Sequence, residues 1–133
     1  MANNSKVKIT NTLVELTDIE KIMFRTSAPT VKLVSLIPEI GNAFVCVPTN
    51  MITRLVQREG EADLVNYVIP TRDGQLISTS AAGCAETLRE ILGQLLEIGG
   101  LGQYPVEFSR VPSKKGNAAI LCRLVPVPVS DAQ

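Results

Sequence analysis

The side chains that could do chemistry are few, and the chain of 133 residues contains no histidine. It therefore lacks the usual general base near neutral pH and the commonest metal ligand. The three cysteines, Cys46, Cys84 and Cys122, are dispersed, with no Cys-x-x-Cys pair. Such a set suits neither a disulfide framework nor a zinc site. All three are expected to be reduced, metal-free, small apolar residues of the core. No phosphate loop of the GxxxxGK[ST] type and no GxSxG elbow occurs. Gly99-Gly100-Leu101-Gly102 has the wrong spacing for a dinucleotide loop and follows a helical pattern, so it reads as a helix stop. Glu59, Glu61 and Asp63 offer too few oxygens in register for a calcium loop and read as a solvated turn. These residues lead to the expectation of a non-enzyme with no catalytic residue, no cofactor and no metal.

What remains is basic. Arg110, Lys114, Lys115 and Arg123 fall around the last turn, opposed there only by Glu107, while Arg54, Arg58 and Arg72 fall on earlier strands and turns. A positive groove with stackable rings is what a single-stranded nucleic acid requires, because charge tracks the backbone and ring faces take the bases. Rings are scarce: there is no tryptophan, and Tyr67, Tyr104 and Phe108 are the candidate stacking residues. The plainer reading is that Lys-Lys-Gly is a soluble turn and that Tyr67 and Phe108 are core residues. Thirteen basic and thirteen acidic side chains cancel, so the whole molecule attracts no polyanion. A neutral chain still presents a positive face if its cations gather in hairpins and its acids on a helix. Arg123 sits in a very apolar strand and is expected to pair with Glu107.

The elements that must position these residues follow from periodicity. Residues 8–16 alternate and predict a strand; Thr17 or Asp18 then caps a short helix to about Arg25, with Asp18 and Glu20 in its first turn. Residues 32–37 read as extended. Ala43 to Val47 predicts a buried strand, interrupted by Pro48. Met51 to Gln57 predicts a further strand, with a short helix as the competing assignment. Leu64 to Ile69 alternates, and Asp73-Gly74 predicts the hairpin turn into a strand over Gln75 to Thr79. Residues 82–98 carry Ala85, Leu88, Ile91, Leu92, Leu95 and Leu96 at helical spacing. Strands follow over Tyr104 to Val111 and Ala118 to Val125. The last of these is apolar on both faces, which predicts an interior position in its sheet. Pro126 and Pro128 open a tail.

A helix between the third and fourth of five core strands is the order of the OB-fold, a five-stranded Greek-key barrel. The expectation is a mainly β, OB-like domain over 1–126, with an added N-terminal strand and short helix and a flexible tail over 127–133. No secretory signal and no apolar run of membrane-spanning length is seen, so a cytoplasmic protein is expected.

Three stretches carry a resemblance. They are Lys8-Ile9-Thr10-Asn11-Thr12-Leu13 with Leu16-Thr17-Asp18-Ile19-Glu20-Lys21; Tyr67-Val68-Ile69 with Asp73-Gly74-Gln75; and Val106-Glu107-Phe108 with Ser113-Lys114-Lys115-Gly116-Asn117. Together they resemble OB-type single-stranded DNA-binding proteins of Gram-positive phages and conjugative plasmids. Ile77 departs from that pattern where an aromatic is usual, and Ala118-Ala119 where aromatic or charged residues are common. The resemblance implies sequence-nonspecific protection or delivery of single-stranded DNA in replication or transfer, with single-stranded DNA as the expected partner and a homo-oligomer as an open assembly state. The alternative is a small phage or plasmid structural protein that assembles through apolar strands.

Overall fold

The computed structural model describes residues 6–26, 30–113 and 118–129. The described chain is mainly β. Strands β1 (Lys6–Thr12), β2 (Val31–Lys32), β3 (Ala43–Cys46), β4 (Ile52–Gln57), β5 (Leu64–Pro70), β6 (Leu76–Thr79), β7 (Val106–Pro112) and β8 (Ala118–Leu124) are joined by helices α1 (Asp18–Arg25), α2 (Leu33–Leu36) and α3 (Ala82–Glu97). They form two sheets, ordered β1-β4-β5-β6-β2 and β3-β7-β8. The expected single five-stranded barrel is thus replaced by two open sheets. The split falls at Pro48, which cannot donate to a ladder; β3 ends just before it and pairs with β7, while β4 starts beyond it and pairs with β1 and β5.

Local signals hold where they are strongest. Thr17 caps α1 reciprocally: its hydroxyl accepts from the Glu20 amide at 3.2 Å, and the Glu20 carboxylate accepts from the Thr17 amide at 2.9 Å. Residues 52–57 are strand, not helix, because both neighbours pair with them in antiparallel register. Asp73-Gly74 does make a tight turn, with Gly74 at φ +88°. Residues 32–37 differ from expectation: the strand is only two residues long, pairs in parallel with β6, and gives way to the single turn α2, which buries Leu33.

Strand alternation separates two cores. On one face of the larger sheet, Ile52 and Val68 pack with Leu16 and Phe24 beneath α1. On the other face, Ile69 and Ile77 join Leu88, Leu92 and Leu95 of α3 and Val106, Phe108 and Cys122 of the smaller sheet. The helix therefore fills the space between the sheets. Its apolar stripe is narrower than its sequence suggests, since Leu96 is 44% exposed. Asn50 is a buried clamp between these parts. Its Oδ1 accepts from the amides of Val14 (2.9 Å) and Met51 (2.8 Å), and its Nδ2 donates to the Val14 carbonyl (3.1 Å).

Because Leu92 is fully buried, Leu92→Ala should lower stability by about 2–5 kcal/mol in chemical denaturation. Leu96→Ala, on the same helix but half outside, should cost far less; equal costs would contradict this packing.

Candidate nucleic-acid interface

Of the ten residues singled out as possible contacts, the eight that are described do not converge on one groove. Arg54 points to the α1 side of the larger sheet. Its Nε and Nη2 donate to Asn66 Oδ1 (3.1 and 2.6 Å) and its Nη1 to the Phe24 carbonyl (3.2 Å). That guanidinium ties α1 to β5, and burial lowers its pKa. Arg58 is exposed in the turn after β4, 3.9 Å from the equally exposed Glu61 carboxylate. Tyr67 is half-buried on β5, in register with Thr53 and Thr79. Tyr104 is half-buried against Gly100, where an added Cβ would stand 3.2 Å from its ring. Phe108 is fully buried and has no face to offer a base.

Arg110 is half-buried on β7, and its Nε is enclosed with no hydrogen-bond partner among the described residues. Arg123 pairs with Glu107 as its neighbourhood predicts, Nε to Oε1 at 2.7 Å, and that hydrogen bond and charge raise its pKa. Lys114 and Lys115 lie outside the described residues.

Arg72 is exposed beside a cleft between the two sheets of about 470 Å³, which Phe44, Cys46, Asp73 and Val129 also line. Asp73 accepts from the Thr71 hydroxyl and from the Gln75 amide at 3.3 Å, and these bonds hold its carboxyl below the ordinary value of 3.8. The cleft therefore carries both signs of charge. Burial, and then the Asp73 charge, push the Cys46 thiol up to about 12, so it is no nucleophile at neutral pH. Cys84 and Cys122 meet in the core despite their separation in sequence. The adjacent Cys84 thiol, and then burial, hold Cys122 well above the usual thiol range. All three cysteines are free.

A different set of residues does share one surface. Ile9 belongs to the core beneath α1, so by alternation Lys6 and Lys8 of β1 point to the opposite face. Lys8 lies in register with Leu55 and Lys6 with Gln57, and Leu55 is in turn opposite Val65. Thr53 and Tyr67 continue that face toward α3. There the Arg89 Nη2 donates to Thr53 Oγ1 at 2.7 Å, fixing the guanidinium at the rim. Lys6 and Lys8 are exposed and have no ion pair among the described residues. Glu59, Glu61 and Asp63 lie in the β4–β5 turn, which follows Gln57 and so stands at the same end of the sheet as Lys6. The sequence held a signal for this surface, since Lys6-x-Lys8 on a strand puts both cations on one side. Arg89 had none, because its helical position says nothing about which sheet it crosses.

Arg54→Ala should destabilise the fold by roughly 1–3 kcal/mol, the cost of leaving buried polar partners unmade, with the loss read from the denaturation midpoint. Asp73 is a pH-dependent contributor. Its folded pKa is lowered, so its stabilisation is present above its ordinary value and lost as pH falls through the folded value. Wild type and Asp73→Asn should therefore differ in melting temperature at neutral pH and converge in acid; a constant difference would contradict the assignment.

No helix among the described residues is long and apolar enough to cross a membrane. No protein-family model, no curated protein and no solved structure matches the chain.

Proposed function

We propose that this protein binds single-stranded DNA, without base specificity, along the open half of the five-stranded sheet, and acts in replication or transfer of a mobile element. The observation that carries the reading is the pair Lys6 and Lys8, side by side with Leu55, Val65 and Tyr67 on one sheet face and bordered by Arg89. Phosphates would lie along the cations, and bases would rest on the apolar strand surface and the Tyr67 ring. This is an OB-like use of a sheet, in which strands supply the floor and turns supply the walls. Arg58 extends the cationic side, while Lys114 and Lys115 remain candidates by sequence alone. With one ring on this face, and a stacked base worth about 1–3 kcal/mol, affinity is modest. The acids of the β4–β5 turn limit it further.

A second reading, a protein that assembles through apolar strands, has one observation in its favour: β8 is apolar and lies at a sheet edge. The two readings are compatible.

Fluorescence anisotropy with labelled single-stranded and duplex oligonucleotides at low salt tests the proposal. Single strands should bind more tightly than duplex. Replacing Lys6 and Lys8 together by Ala should weaken binding to every sequence alike and shallow the salt slope by roughly 0.7 per lost phosphate contact. Arg54→Ala, by contrast, should leave affinity unchanged at temperatures where it is folded. An absence of single-strand binding at low salt would end the nucleic-acid reading.

A further inference from the structure

The two sheets present four edges, and three of them are blunted. The β1 edge carries Lys6 and Lys8 and a register shift between Ile9 and Asn11. The β2 edge is two residues long. The β3 edge is four residues long and runs into Pro48, whose bridge to Thr71 ties it to the other sheet. These are ordinary ways of keeping a sheet edge from pairing with another chain.

The β8 edge has none of them. Its seven residues pair with β7 in unbroken register from Val106↔Leu124 to Pro112↔Ala118. The strand has no proline, and Arg123 is its one charge, already held by Glu107 at 2.7 Å. No ladder partner covers its outer side among the described residues. The chain leaving β8 does not return to it, because the Val125 and Val129 amides donate to the Pro105 and Gln103 carbonyls at 2.9 and 2.8 Å. Yet this strand is apolar on both faces, the composition of an interior strand. Cys122 is buried toward α3, while Leu121, on the opposite face, is 51% exposed.

We propose that β8 pairs antiparallel with β8 of a second copy across a two-fold axis at Leu121, joining two three-stranded sheets into one continuous sheet. The hydrogen-bonding phase of the strand supports this register. The Val125 amide bonds to the Pro105 carbonyl, so the narrow and wide pairs alternate from there along β7 and β8. Ile120, Cys122 and Leu124 consequently turn their amides and carbonyls outward. With the axis at Leu121, Ile120 stands opposite Cys122 of the second copy, and the reciprocal bonds form without a shift. Leu121 meets its own symmetry mate in the closer, non-hydrogen-bonded type of pair, covering the exposed side chain. Arg123 stands opposite Ala119 of the second copy, so the like charges are kept apart. A self-complementary strand of this kind makes a closed, isologous dimer. The dimer requires no DNA.

Sedimentation equilibrium on the full chain, without nucleic acid, should give twice the monomer mass. Leu121→Lys puts like charges face to face at the axis on an exposed position, and should yield a monomer with an unchanged far-ultraviolet circular dichroism spectrum. Leu121→Cys should form a symmetric inter-chain disulfide under mild oxidation, since this pair type brings Cα atoms to about 4.5 Å. Ser109→Cys, on the same face but one strand away from the axis, should not. A monomeric wild type, a dimer that survives Leu121→Lys, or a dimer that Leu121→Cys fails to cross-link would each overturn the proposal.

Discussion

The pairing of β4 with β5 is the constraint on which the rest depends. From Ile52↔Val68 to Val56↔Leu64 it places residues of alternating character on opposite faces of one sheet. Each face must then be covered, or left open for a reason. One face takes α1 through Ile52 and Val68. The other takes α3 and the smaller sheet through Ile69. A slip of β4 by one residue against β5 would turn Ile52 and Arg54 away from α1 and onto the face that Tyr67 occupies.

Seen from that pairing, six of the described cations fall into three kinds. Arg54 and Arg89 bond to neighbouring protein groups and hold elements in place, the first between α1 and β5 and the second between α3 and β4. Arg58 and Arg123 are offset by adjacent carboxylates. Lys6 and Lys8 remain exposed on an open sheet face. Exposed ion pairs contribute little to stability because water screens them. Their larger effect is to cancel local field, as the acids of the β4–β5 turn do in part for Lys6.

The same division bears on assembly. The strand lysines that make β1 a candidate phosphate-binding edge also prevent it from pairing with another chain. The β8 edge, in the smaller sheet, has no such protection. A dimer through β8 uses the edge of the smaller sheet, whereas β1 is an edge of the larger one, so strand binding and self-association need not compete.

Much of this was legible in the sequence. Thr17 with Glu20 marked the start of α1, Asp73-Gly74 marked a turn, and the leucine spacing marked α3, because each signal acts within a few residues along the chain. The burial of Cys84 and Cys122 and the Arg123–Glu107 pair could also be anticipated from composition and neighbourhood, whereas Cys46, expected in the core, lines the cleft half-buried. Sheet membership could not. Both β3 and β4 read as strands, but β3 takes its partner from distant β7 and β4 takes one from distant β1, and Pro48 divides them between two sheets. The apolar character of β8 was visible, but that it forms an edge was settled only by which strands remained to pair with it. Local propensity thus determined which segments are strands and helices, whereas only tertiary packing decided which faces are covered, which charges are neutralised and which edge is left open.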